Sequence, residues 1–279
     1  GVELVGQSRL SLIATGFAWP HFPVSPRWRE SRGRYQEAEA VMQAIERKVR
    51  EQTQQTLSPV SPTEVKALPK PVPYSSLLKG GLLKRVVLGS FVLIAMNVVQ
   101  YTLINWLPTI FMSQGINLKD SIVLNTMSMF GAPFGIFIAM MVMDKIPHKT
   151  MGVGLLLFIA VLGYVYSLQT NMMMITLCGF FLITFVYMYV CYASAVHVPE
   201  IWPTEAKLRG SGLANAVGRI SGIAAPYAVA VLLSNYGVTG VFILLSSVAV
   251  IVAAAIAVIG IETKGASVES IGMDVVTNK

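Results

Sequence analysis

The residues able to do chemistry in this sequence are polar side chains set inside long apolar runs. Asn97, Tyr101 and Asn105 recur every fourth residue, with Gln100 beside them, and that spacing puts the three on one helix face. Within a bilayer such a stripe either lines a hydrated cavity or hydrogen-bonds to a neighbouring helix; cavity lining is the functional reading. Tyr189 shares a face with Phe181, Phe185 and Tyr192, where packing competes with a role at the cavity. Asn125 and Asn215 are isolated polar positions of the same kind. Arg219 is the one charge deep in an apolar run, roughly 13 Å along the helix from Gly210. An arginine there either meets an anionic substrate or pairs with a carboxylate on another helix, and its depth favours the pair. No Asp or Glu lies inside any apolar run, so the sequence displays no proton-carrying carboxylate. Catalysis has less to stand on. His21, His148 and His197 are scattered, and neither metal-ligand spacing nor a glycine-rich phosphate loop is present. Neither an enzyme nor a cofactor is expected.

These side chains need a scaffold, and the composition names its solvent. Of 279 residues 54% are hydrophobic and 13% charged, about half the charged share of an ordinary globular chain. Thirteen of the 21 Lys and Arg residues precede position 86 and eight follow it. The basic residues flank apolar segments and form no patch interleaved with aromatics, which points to membrane and away from nucleic acid. Cys178 and Cys191 point to opposite sides of one helix and read as packing residues. No signal peptide is expected.

A helix crosses the hydrocarbon core with about 20 apolar residues, and six spans of that length emerge. The first runs from about Val86 to Met112 and the second from about Ser121 to Met143. The stretch Thr150 to Pro199 divides into two at Gln169, Thr170 and Asn171, and Gly210 to Ile261 divides into two at Ser234 to Gly237. Lys145 and Lys149, Lys207 and Arg209, and Lys264 and Lys279 fall in alternate loops and the tail, which predicts both ends of the unit on the cytoplasmic side. Small residues recur every fourth position in Gly210, Ala214, Gly218 and Gly222, and again in Gly131, Gly135 and Ala139. Such stripes let helix backbones approach closely. Pro133 and Pro226 are expected to kink their helices.

Upstream, an amphipathic helix is predicted from Gly33 to about Gln54, followed by a Pro-rich linker. The domain reading is a remnant of a preceding transmembrane helix over 1–26, in which Leu10 to Phe22 is too short to span. A cytoplasmic loop with the amphipathic helix and linker follows over 27–84, then the six-helix bundle over 85–262 and a cytoplasmic tail over 263–279.

Several loops resemble a known family. Pro199 to Arg219, PEIWPTEAKLRGSGLANAVGR, is similar to the loop and helix in the C-terminal half of the major facilitator superfamily, in its sugar-porter and metabolite:proton-symporter branches. Asp144 to Lys149, DKIPHK, resembles the D-R-x-G-R-R loop, with Pro147 in place of the glycine and His148 in place of an arginine. Pro23 to Trp28, PVSPRW, resembles the P-E-S-P-R-W box, with Val24 in place of the glutamate, and Ser31 to Ala38 continues it. Asn105 to Phe111, NWLPTIF, is closer to the organic-metabolite symporters, and the paired glutamines of sugar porters are not found.

The resemblance implies an all-α integral membrane protein whose six-helix bundle is the C-terminal half of a twelve-helix fold, partnered by lipid, a small solute and an N-terminal six-helix half missing from this chain. It implies transport of an organic acid or sugar-like metabolite across the cell membrane by alternating access, with proton symport. Asn97, Gln100, Tyr101, Asn105 and Tyr189 would line the cavity. Asp144, Lys145, Glu200, Lys207 and Arg209 would form an ion-pair gate at the cytoplasmic end, with Arg209 favoured over Lys207 for the family's arginine. The competing reading is a membrane scaffold that docks through its basic amphipathic helix; six further spans encoded upstream would favour the transporter.

Overall fold

The structure is a computed structural model that describes residues 26–31, 33–53, 73–113, 115–203 and 206–264. It divides into two compact units, Gly1–Pro69 and Lys70–Lys279. In the first, helix α1 (Pro26–Ser31) turns at Gly33 into α2 (Tyr35–Thr53). Arg29 joins the two through the Glu37 carbonyl and carboxylate, at 3.3 and 3.7 Å. On α2 Tyr35, Met42 and Ile45 are exposed among charged residues, the amphipathic pattern expected of this segment. Leu10 to Phe22, the box Pro23–Trp28 up to residue 25, most of the Pro-rich linker and the tail beyond residue 264 lie outside the described residues.

The second unit is built from apolar helices, the arrangement that satisfies every backbone polar group without water. A short turn, α3 (Tyr74–Leu77), leads into α4 (Gly80–Ser113), followed by α5 (Leu118–Met129), α6 (Gly131–Val142), α7 (His148–Ser167) and α8 (Met172–Cys191). A π-helical turn (Tyr192–His197) and α9 (Val198–Glu200) then lead to α10 (Lys207–Ile259). Side chains cap two of the starts: Asn117 accepts from the Asp120 amide at 2.9 Å and Asn171 from the Met173 amide at 2.8 Å. Asn171 is where the sequence divides the third span from the fourth.

Five stretches among the described residues are long and apolar enough to cross a bilayer: 80–113, 118–142, 148–167, 172–200 and 207–259. The last has 53 residues, roughly 80 Å of helix against a core of about 30 Å. It is two spans joined at Gly237, where φ is 64° and ψ −159°, a conformation that glycine alone enters cheaply. The six expected spans are therefore present, with the last break inside the Ser234–Gly237 segment. Pro226 stays inside α10, and Pro133 sits just beyond the turn at Phe130 that separates α5 from α6. The π-helical turn was not anticipated; it ends at His197, two residues before Pro199, which has no N–H to donate.

The first half of α10 lies along α4, and its second half along α7, where Ser246 donates to the Ala160 carbonyl at 2.9 Å and Phe242 meets Tyr166 at 5.2 Å between centroids. Helix α6 packs on α8 through the second small-residue stripe. A Cβ at Gly131 would meet the Phe180 carbonyl oxygen and Thr184, and one at Gly135 would strike the Thr184 carbonyl oxygen. The obstacle is backbone, which cannot rotate away. Gly135→Ala is expected to lower stability by about 1–3 kcal/mol. Gly154→Ala, which meets nothing within 4 Å, should leave it nearly unchanged. Thermal unfolding of the two variants in one detergent checks the difference.

Candidate functional site

Of the stripe Gly210, Ala214, Gly218 and Gly222 on α10, the last three face α4. Ala214 sits against Gly89, and a Cβ at Gly218 would lie 2.8 Å from the Leu93 Cβ and 3.0 Å from the Asn97 Nδ2. At Gly222 it would lie 3.1 Å from the Tyr101 ring. At the end of the stripe Gly210 admits the ring of buried Trp202. This seam carries α4 and α10 so close that a long side chain on one can reach across to the other. The Arg219 guanidinium accordingly donates to the Tyr101 hydroxyl at 2.8 Å, on an exposed face. Asn105, one turn along α4, and Asn215, one turn before Arg219, are exposed as well, while Gln100 is half-buried. The depth argument favoured a carboxylate partner for Arg219. The partner found is a neutral phenol, which engages the guanidinium and leaves its charge in place.

Two expected cavity residues are elsewhere. Asn97 is 3% exposed and donates to the Leu93 carbonyl at 2.7 Å, inside the α4–α10 seam. Tyr189 is 1% exposed, and its hydroxyl donates to the Val92 carbonyl at 3.1 Å. Tyr189 thus ties α8 to α4 within the core. Tyr192 is buried beside it and stacks on His197 at 5.0 Å, and Phe185 stacks on Phe158 at 5.2 Å. Packing is what this aromatic face does here. Asn125 keeps its Oδ1 buried without a hydrogen-bond partner.

The loops that carry the expected gate converge at one end of the bundle, on a different pair of residues. His148, 5% exposed at the start of α7, places Nδ1 3.0 Å from the Glu200 carboxylate and 2.7 Å from the Thr263 hydroxyl, which itself donates to Glu200 at 2.7 Å. Glu262, just past α10, accepts from the His148 and Lys149 backbone amides at 2.8 and 3.2 Å. It thus caps the N-terminus of a helix 114 residues away, where a negative charge is favoured. Of the five expected gate residues Glu200 belongs to this cluster, and Lys145 lends its carbonyl to the Lys264 ammonium at 2.5 Å. Arg209 lies over the Tyr74 ring at 5.2 Å, and Asp144 and Lys207 are exposed. His148 and Glu262 were missed because a capping carboxylate that joins the chain after one span to the start of another has no local signature. Nearby, buried Arg85 donates to the Ile201 carbonyl at 2.8 Å.

Burial pushes the Glu262 carboxyl up, but the amides of Lys264, His148 and Lys149 and the His148 charge outweigh it and hold it below the ordinary carboxylate value. A depressed native value stabilises the fold above the unfolded value near 4.5, and that stability is lost as pH falls through the native value. Melting temperature should therefore drop below pH 4.5 less steeply in Glu262→Gln than in the parent. At neutral pH the variant should be about 1 kcal/mol less stable, from the weakened cap.

The model of the sugar (and other) transporter family matches residues 5–274. The chain is 78% identical over 278 residues to YdjK of Escherichia coli K12, a protein named for metabolite transport, and covers all of this chain and 61% of that one. It is 41% identical to the inner membrane metabolite transport protein YdjE of the same organism, over 93% of this chain and 58% of the relative. It is 27% identical to the niacin transporter NiaP of Acinetobacter baylyi, over 90% and 56% respectively. The chain thus spans less than two thirds of the length of each of these relatives. A family match along nearly its whole length, on a bundle of six apolar helices with cation-flanked loops, places the chain in the sugar (and other) transporter family of the major facilitator superfamily, with its spans corresponding to the C-terminal half of that fold.

Proposed function

We propose that this chain is the C-terminal half of a secondary transporter that carries a small organic solute, an organic acid or a sugar-like metabolite, through the cell membrane by proton-coupled alternating access. One observation carries the reading: the face that holds Asn105, Asn215 and Arg219, with half-buried Tyr101 between them, is exposed on a bundle whose other exposed large side chains along the spans are mostly apolar. A charge and two amides directed at lipid would be costly at this depth. Such a face instead fits one wall of a hydrated path, completed by a second bundle at the midplane. The sequence names of YdjK, YdjE and NiaP, two for metabolite transport and one for niacin, support a solute of this size. The cluster of His148, Glu200, Glu262 and Thr263 joins the chain at the ends of α6, α8 and α10 and would form part of the cytoplasmic closure, with Asp144, Lys145, Lys207 and Arg209 around it.

Alternating access needs two bundles rocking about a shared site. Proteoliposomes holding this polypeptide alone should show no uptake above empty vesicles, whereas the full-length transporter should show uptake that an inward proton gradient drives and a protonophore stops. Uptake by the half alone would overturn the reading. Its orientation is open to a second measurement: Lys145→Cys and Lys207→Cys should be labelled by impermeant maleimide only from the cytoplasmic side, and Lys119→Cys only from the opposite one. Labelling of Lys145→Cys and Lys207→Cys from different sides would break the threading.

A further inference from the structure

We propose that Arg219 and Tyr101 together form the anchor for a carboxylate on the transported solute, so that the substrate class is organic anions and not neutral sugars. The proposal rests on the transporter reading above and narrows it. Four observations carry it. Arg219 lies roughly 13 Å along α10 from Gly210, deeper than a guanidinium escapes by snorkelling from that end. The chain has no Asp or Glu in residues 86–119, 121–143, 150–199 or 206–261, so the interior of its own spans offers no counter-charge. The partner the structure gives the guanidinium is the Tyr101 hydroxyl at 2.8 Å, a neutral oxygen that occupies one of five N–H donors and keeps a proton of its own to donate. Finally, Arg219 is exposed and Tyr101 half-buried on the face that also presents Asn105 and Asn215.

The geometry of the pair suits a carboxylate in particular. Arginine offers two parallel N–H groups in a planar fork that matches the two oxygens of a carboxylate. Tyr101 holds the fork from one side. Its ring is itself held against Gly222, where even a Cβ would lie 3.1 Å away, so the hydroxyl that steadies Arg219 is fixed by the same seam that joins the helices. With its phenolic proton free, Tyr101 can add a third hydrogen bond to the bound anion. Asn105 and Asn215 are placed to meet hydroxyl or amide groups elsewhere on the solute. A neutral sugar would leave the guanidinium fork without an anion to match its two parallel donors. A carboxylate from the other half of the transporter is the competing partner, and it predicts a different outcome.

The test uses the full-length transporter in detergent with two matched pairs of probes, nicotinate against nicotinamide and gluconate against glucose. At least one carboxylate should raise the melting temperature while its neutral counterpart does not. Arg219→Gln should weaken binding of that carboxylate roughly 10- to 100-fold, the effect of losing a charge-assisted hydrogen bond, with Arg219→Lys losing less and the ligand-free melting temperature little changed. Tyr101→Phe should weaken it several-fold. Neutral probes that bind as well as their acids, or an Arg219→Gln variant with undiminished carboxylate affinity, would overturn the anion assignment and leave the transport reading standing. Should Arg219→Gln fail to fold while Tyr101→Phe binds the carboxylate as tightly as the parent, Arg219 is a structural ion pair and the proposal is wrong. Should none of the four probes bind, the proposal fails, and the uptake measurement decides whether the transport reading fails with it.

Discussion

Helices in lipid gain little from hiding apolar surface from one another, because the tails around them are as apolar as leucine. What holds them is close contact between backbones and the few polar groups that contact allows. In this bundle the constraint is met where α6 meets α8 and again at the seam where α10 presents Ala214, Gly218 and Gly222 to Gly89, Leu93, Asn97 and Tyr101 of α4. At Gly218 a single added carbon would lie 2.8 Å from the Leu93 Cβ and push the two helices apart. The seam does more than hold. It buries Asn97, sets the ring of Tyr101 and so brings the hydroxyl within 2.8 Å of a guanidinium one turn before Gly222. Packing and the polar face are one arrangement viewed from its two sides.

A second constraint acts at the cation-rich end, where three separate loops have to be held in register although little sequence lies between each loop and the helix it serves. The solution is a chain of short bonds from Glu200 through His148 and Thr263 to Glu262, which caps α7 from the far end of the chain. A helix start is electropositive and has amides to spare. Supplying the carboxylate from the segment after α10 ties the last span to the third without crossing the apolar core. If these loops belong to a closure that opens during transport, the same bonds must break each cycle, and hydrogen bonds at an exposed end are suited to that in a way that the interdigitated seam is not.

How much of this was legible in the sequence follows from which interactions are local. Span number, the break at Asn171 and the break at Gly237 follow from hydropathy, a side chain that caps its own helix and a backbone that only glycine tolerates. The small-residue stripes were legible too, since a period of four is visible in one segment, although the partner of each stripe was not. The burial of Tyr189 against α4 was not legible, because periodicity assigns a residue to a face and cannot say whether that face meets solvent or another helix. His148 and Glu262 went unnoticed for the same reason at longer range: each is unremarkable alone, and the cap they form spans 114 residues. The π-helical turn before Pro199 has a cause in the sequence, the missing amide, but a proline so placed is equally compatible with a simple helix end.

The asymmetry between the two clusters of charge carries the functional argument further. At the cation-rich end His148, Glu200, Glu262 and Thr263 satisfy one another within the chain. At mid-bundle Arg219 meets a phenol and stops there. A protein that needed Arg219 only for cohesion could have placed an acid on α4, one helical turn from Tyr101, where Asn97 and Asn105 stand instead. Both positions carry neutral amides: Asn97 is buried in the seam, and the exposed Asn105 can bond to a solute without cancelling a charge. A fixed cation surrounded by neutral hydrogen-bonding groups keeps its field directed outward, toward whatever enters the space in front of it. That is the electrostatic form of a binding surface, whereas a charge already neutralised by its neighbours would contribute only to the bundle.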